Sequence, residues 1–207
     1  VDDLINPWTA AFQNKRFVVR LIFTSVALLI VVSLLPYFFH SIVGPRPGIS
    51  INDFVLNAFT PQDHSWIIFG LIYISLALTL QGVFRKPDRV LLGLKGYLIL
   101  TLLRMVSMYV FTLEAPEGII PLHDPLMDVI AYGGKVFNKD LFFSGHVATL
   151  TLFVLVEERL VVKRVLIINS LLVAGLILLQ HVHYTIDVLA APFMALAIFG
   201  IMKRVSR

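Results

Sequence analysis

Cysteine is absent from this chain, which removes structural disulfides, thiolate nucleophiles and every Cys-containing metal site while leaving the compartment open. Charge is scarce as well: Asp, Glu, Lys and Arg make up only 14% of the 207 residues. The 17 basic and 13 acidic residues leave a formal charge of +4, and the basic residues fall in short clusters between apolar runs, so no stripe suited to nucleic acid exists. There is no HExxH zinc signature, internal repeat, low-complexity tract or coiled-coil heptad of useful length. The pieces outside the apolar runs are too short for a separate soluble domain, so residues 1–207 read as one membrane-embedded domain.

Apolar residues are abundant. The AVILMFWYC set reaches 58% and mean hydropathy is +0.87, more than a soluble globule of this length can bury. Six apolar segments stand out, roughly Phe17 to Phe39, Ser65 to Phe84, Val90 to Leu113, His146 to Val156, Val165 to Leu179 and Tyr184 to Met202. Most approach the ~20 residues a helix needs to cross hydrocarbon. The fourth is short, and Phe142, Phe143 and the stretch up to Leu160 extend it, with Glu157, Glu158 and Arg159 at headgroup level. The expected fold is therefore all-α and polytopic, with six transmembrane helices. The first segment reads as a span with Pro36 as a kink or exit, since it is longer than a signal-sequence core.

Loop charges give the direction. Lys15, Arg16 and Arg20 precede span 1; Arg85, Lys86 and Arg89 separate spans 2 and 3; Arg159, Lys163 and Arg164 separate spans 4 and 5; Lys203, Arg204 and Arg207 follow span 6. All belong to one side, which the positive-inside rule makes cytoplasmic, together with both termini. On the other side, His40 to His64 has only Arg46 as a basic residue, and between Glu114 and Asp140 the pair Lys135 and Lys139 is outnumbered by Glu114, Glu117, Asp124, Asp128 and Asp140. Pro and Gly in GPRPG (Gly44 to Gly48) and EAPEGIIPLHDP (Glu114 to Pro125) break regular helix in these loops.

Ionisable groups within or at the rim of a span mark function unless they are paired or snorkel. Those present are Arg104 in span 3, His146 at the start of span 4, and His181, His183 and Asp187 at the start of span 6. Arg104 lies about 22 Å of helix beyond cytoplasmic Arg89, toward the outer rim. All five groups thus arrive at one face, the non-cytoplasmic one. Lys95 can snorkel back to the cytoplasmic surface, and His40, His64 and His123 sit in loops.

His183 and Asp187, four apart, share a helix face, so the carboxylate can hold one ring nitrogen and leave the other to attack. His146 can protonate a leaving oxygen, Arg104 offers a forked donor to phosphate, and Ser144 and Gly145 precede a helix as an anion cradle. His181 and the adjacent Tyr184 join that phosphate-binding set, with a structural role for His181 weighing equally. The set suits phosphoryl transfer through a phosphohistidine without a metal or other cofactor. Structural alternatives remain: a bonded His183–Asp187 pair, a headgroup-layer His146, an ion-paired Arg104, or a zinc site from His146, His181, His183 and Asp187.

These residues resemble the sphingomyelin synthase family, a branch of the type 2 phosphatidic acid phosphatase (PAP2) superfamily. RMVSMYVFTLEAP (Arg104 to Pro116) is similar to that family's third span and following loop; DLFFSGH (Asp140 to His146) and HVHYTIDV (His181 to Val188) look like its two catalytic motifs. The resemblance implies a PAP2-like core of six helices, His183 as nucleophile, Asp187 as its orienter and His146 as acid and then base. The superfamily's phosphatases usually carry an Arg six residues before the nucleophilic His, where this chain has Ile177, and a Lys-to-Arg-Pro motif, whereas no Pro follows Arg104. The expected activity is transfer of a phosphorylated headgroup from a phospholipid to ceramide or diacylglycerol; the alternative is a lipid phosphate phosphatase or phospholipase C-like hydrolase. The implied partners are membrane lipids, not nucleic acid, with homo-oligomerisation left open.

Overall fold

A computed structural model describes residues 7–124, 139 and 141–205. Asp128, Lys135, Asp140 and Arg207 of the charge pattern lie outside them. Regular secondary structure among the described residues is helical, with a single isolated bridge between Ile49 and Leu113 instead of a sheet. The helices are α1 (Pro7–Gln13), α2 (Lys15–Tyr37), α3 (Ser65–Val83), α4 (Pro87–Val110), α5 (Gly145–Val156), α6 (Leu160–Leu179) and α7 (Thr185–Val205).

Five of the six expected segments form helices long and apolar enough to cross a membrane. Exposed apolar side chains such as Phe23, Leu29, Val161, Leu171 and Phe193 coat the outside of the bundle, as a lipid-facing surface requires. Asn14 caps α2, its side-chain oxygen accepting from the Arg16 and Phe17 amides at 3.0 and 3.3 Å. Pro36 does not end this segment: it lies inside α2, which passes into a π-helical stretch, Phe38–Val43.

The fourth segment departs from expectation. Phe142 and Phe143 are not helical, α5 stops at Val156, and Glu157 to Arg159 form a non-helical link to α6. Twelve residues span only about 18 Å, well short of the ~30 Å hydrocarbon core. This helix packs against α3, α4, α6 and α7, with Val147, Ala148, Leu150, Leu152 and Val156 buried. Enclosed by protein, α5 is free of the length that lipid contact imposes. Gly96 on α4 permits the approach, since a β-carbon there would lie 2.8 Å from the Leu152 Cδ1.

Two buried amide side chains away from the ionisable groups find partners inside the bundle. Asn169 of α6 donates to the Ser75 Oγ of α3 at 3.0 Å, and Ser75 donates to the Leu71 carbonyl at 2.7 Å. Buried Gln180 joins two distant segments: its amide nitrogen donates to the Ser65 Oγ and to the Ile120 and Pro121 carbonyls, and its oxygen accepts from the His64 amide. Satisfying both ends of this side chain anchors the loops above α3 and α4 to the end of α6.

The basic clusters gather at one end of the bundle. Glu158 bridges Lys86 and Arg89, Arg20 and Lys203 line one cavity with Arg89, and the Trp8 indole of α1 donates to the Phe84 carbonyl at 2.6 Å. Here Glu157, with only 2% of its side chain exposed, accepts from the Arg159 guanidinium and from the Glu158 and Arg159 amides. Arg159 reaches on to the Leu78 carbonyl of α3 at 2.6 Å. Burial pushes the Glu157 carboxyl up, but the Arg159 side chain and the two amides outweigh it and hold the group below the usual glutamate range.

A depressed carboxyl contributes stability that is present above its unfolded pKa and is lost as pH falls through the folded one. The midpoint of thermal unfolding in detergent is therefore expected to drop on acidification through and below the ordinary glutamate value of about 4.3. Glu157→Gln should lower it at neutral pH by the equivalent of roughly 1–2 kcal/mol, converging with wild type in acid. Parallel pH profiles for the two proteins would refute the assignment.

Candidate functional site

Arg104, His146, His183 and Asp187 come together at the end of the bundle opposite the basic clusters. Arg104 lies in the last third of α4; Ser144, Gly145 and His146 open α5; His183 and Asp187 flank the start of α7. The starts of α5 and α7 are joined by the Ser144 amide, which donates to the Asp187 carbonyl at 3.1 Å. Two helix N-termini thus converge, and their dipoles favour an anion between them.

The start of α7 is held from a distant loop. Asp53 accepts from the Thr185 amide at 2.6 Å and from the Thr185 hydroxyl at 2.9 Å. Burial raises the Asp53 carboxyl, but these bonds and those from the Leu56 and Val55 amides prevail and keep it below the usual aspartate range. Asp187 reaches back to the Tyr184 amide at 3.0 Å, as an acidic side chain does in the first turn of a helix.

That bond changes the expected pairing. The His183 Nδ1 lies 3.6 Å from the Asp187 Oδ2, within ion-pair reach but beyond hydrogen-bond length. His183 precedes the first residue of α7, so the helical i, i+4 rule does not apply strictly to the pair. The His183 Nδ1, Asp187 Oδ1 and Ser144 Oγ are buried without hydrogen-bond partners. Hydrogen bonds between catalytic groups are often long in the absence of substrate.

The two histidine rings are 6.3 Å apart between centroids, and an edge-to-face contact with Phe69 supports His146. The Arg104 Nε donates to the Phe143 carbonyl at 3.1 Å. Its guanidinium lies where a β-carbon of residue 145 would be, 2.4 Å from the Nη1, so only glycine there allows the arginine this position. Sequence reasoning placed Gly145 in an anion cradle; the structure adds that it makes room for Arg104.

His181 and Tyr184 sit elsewhere. Together they line a neighbouring cavity of about 310 Å³ formed with the 50–57 loop, Pro116 and Glu117. The Tyr184 hydroxyl accepts from the Ile51 amide at 3.3 Å, and the His181 Nδ1 lies 3.0 Å from the Glu117 carbonyl. His181 also ends α6. Its φ of +56° and the bonds from the His181 amide to the Leu178 carbonyl and from the Val182 amide to the Ile177 carbonyl form a Schellman motif, with histidine where glycine is usual.

His181→Gly should therefore cost little stability, because relief of about 1 kcal/mol of left-handed strain offsets the lost contact with Glu117. Activity should fall if the side chain contacts substrate. Unfolding midpoint and kcat/KM measured on the same preparation separate the two roles, and a fully active variant would make His181 structural only.

Sequence reasoning missed Asp53 and the bonding role of Gln180. Asp53 had one signal, an acidic residue in a Pro- and Gly-bounded loop, but its partner lies 132 positions away. Among the described residues no group of three or more His, Asp or Glu side chains is arranged to hold a metal ion.

Among curated proteins none matches this chain significantly. Residues 139–204, which hold α5, α6 and most of α7 with Ser144, Gly145, His146, His183 and Asp187, match the family model described as PAP2 superfamily C-terminal. That match supports the PAP2 superfamily, and with it phosphatase or phosphotransferase chemistry in a membrane protein, without selecting the sphingomyelin synthase branch.

Proposed function

We propose that the chain is a lipid phosphotransferase that moves a phosphorylated headgroup from a phospholipid to a lipid alcohol, ceramide or diacylglycerol. The observation that carries this reading is the gathering of His183, Asp187, His146 and Arg104 at one end of the bundle, where two helix N-termini meet. In the first half-reaction the His183 Nε2 attacks phosphorus, with Asp187 holding the opposite ring nitrogen. The bond from phosphorus to the donor's glycerol oxygen breaks, and His146 gives that oxygen its proton. Arg104, the Ser144 hydroxyl and the amides at the start of α5 balance charge on the non-bridging oxygens.

In the second half-reaction His146 takes the proton of the acceptor hydroxyl, whose oxygen attacks phosphorus and releases His183. Water in place of the alcohol makes the same site a phosphatase or phospholipase C-like hydrolase. The excess of basic residues in the loops at the other end supports a non-cytoplasmic position for this end, with both termini cytoplasmic in this reading. Reconstituted protein supplied with labelled phosphatidylcholine or phosphatidylethanolamine, with and without ceramide or diacylglycerol, tests the reading. Acceptor-dependent phospholipid product is expected. Release of phosphate or phosphoalcohol regardless of acceptor would replace transfer by hydrolysis.

A further inference from the structure

At the end of the bundle away from the catalytic groups, α2, α4 and α7 enclose a cavity of about 480 Å³, within the roughly 300–1,000 Å³ of small-ligand sites. Its wall carries Arg20, Arg89, Lys95 and Lys203 against a single carboxylate, Asp88. Arg89 is committed to Glu158. Arg20 and Lys95 have no ionic partner among the described residues, and the Lys203 Nζ lies 5.1 Å above the Phe199 ring. Three cations outside any ion pair thus face one space with Asp88 as its single carboxylate.

Depth makes this unusual. Lys95 lies about 12 Å along α4 from Pro87, and Arg20 about 7.5 Å along α2 from Lys15, so neither is at the outermost turn. Cations brought to one space repel one another, a condition an anion relieves. Leu91 and Leu92 supply apolar wall beside them.

A second groove, of about 190 Å³, shares Arg20 and Lys95 and continues deeper between α2 and α4. Its remaining lining is Phe23, Thr24, Leu98 and Ile99, with Phe23 and Ile99 open to the lipid-facing surface. The lining therefore changes from cationic in the first cavity to largely apolar in the second, with Arg20 and Lys95 common to both. A free phosphate fits only the first half of it. A phospholipid fits both, with its phosphate on Arg20, Lys95 and Lys203 and an acyl chain along Phe23, Leu98 and Ile99.

We propose that these two cavities form a binding site for one anionic phospholipid of the leaflet opposite the candidate active site. The lipid ties α2 to α4 and α7 by neutralising cations from all three. This assignment needs only that the bundle spans a bilayer, so it stands whatever reaction the other end performs.

The full chain is reconstituted in vesicles of phosphatidylcholine and phosphatidylglycerol in equal amounts, extracted, and its retained lipids are read by native mass spectrometry. Phosphatidylglycerol is expected in excess, with the preference falling about fivefold for each cation removed in Arg20→Gln and Lys95→Met. Lys95→Arg should keep it, and so should Arg164→Gln, whose side chain lines neither cavity. If Lys95→Met does not fold, Lys203→Gln at the end of α7 gives the same reading. Equal retention of the two lipids, or a preference unchanged in the Arg20→Gln and Lys203→Gln proteins, overturns the site. A rise in unfolding temperature with inorganic phosphate equal to that with phosphatidylglycerol would overturn the lipid identity and leave a simple anion site.

Discussion

His183→Gln is expected to abolish product formation with no loss of folded protein, because glutamine keeps most of the volume of a side chain that is 2% exposed and removes only the nucleophilic nitrogen. His146→Gln should behave differently. With a natural phospholipid, whose alkoxide leaves poorly without a proton, the rate should fall by about 10²–10⁴. An aryl phosphodiester, whose phenolate needs no proton, should lose far less. Incubation with labelled donor and no acceptor should leave an acid-labile, alkali-stable phosphohistidine on wild type and on the His146 variant with the aryl substrate, and none on His183→Gln. A well-folded, active His183→Gln protein would remove the proposed nucleophile. Equal losses for both substrates in His146→Gln would remove the proton-donor role.

The end of the bundle that gathers these residues could be read from the sequence for a reason peculiar to membranes. Sorting Arg89, Lys163 and Lys203 by loop sets which end of each apolar run faces which way, and the few polar groups left inside cannot be random surface decoration. Loop charge alone therefore assigns Arg104, His146 and His183 to one end. The contacts that hold them could not be found that way. Asp53 caps α7 across 132 residues, and Gln180 closes four hydrogen-bonding demands from two distant segments, 64–65 and 120–121, neither of which leaves a periodic trace.

Extending the fourth segment to Leu160 overstates α5, because the length requirement assumes that lipid surrounds the helix. Surrounded instead by α3, α4, α6 and α7, it needs only enough length to carry Ser144 and His146 at one end and to meet the buried Glu157 at the other. The i, i+4 argument for His183 and Asp187 found the right neighbours with the wrong bond. The helix starts after His183, and the Tyr184 amide claims the carboxylate oxygen nearest the ring. In the proposed mechanism the unpartnered Asp187 Oδ1 is the acceptor open to His183.

Gly145→Ala should separate activity from stability more cleanly than a change to any charged residue. A β-carbon at position 145 would meet the Arg104 guanidinium at 2.4 Å from Nη1, 2.5 Å from Cζ and 2.8 Å from Nη2, so one of the two must move. The backbone of α5 is pinned by the bond from the Ser144 amide to the Asp187 carbonyl, whereas Arg104 is the far end of a long side chain. The arginine yields. Alanine is also the better helix former, by up to about 1 kcal/mol, so the unfolding midpoint should hold or rise. Catalysis should fall, since a guanidinium displaced from its cradle no longer meets charge developing on phosphorus oxygens, an effect worth about 10²–10³ in rate. Arg104→Lys keeps the charge but loses the fork, and should cost a similar amount. Because both changes remove one interaction, the double variant should lose little more than the worse single one. Additive losses, or a Gly145→Ala enzyme as fast as wild type, would show that the arginine acts independently of the glycine beneath it.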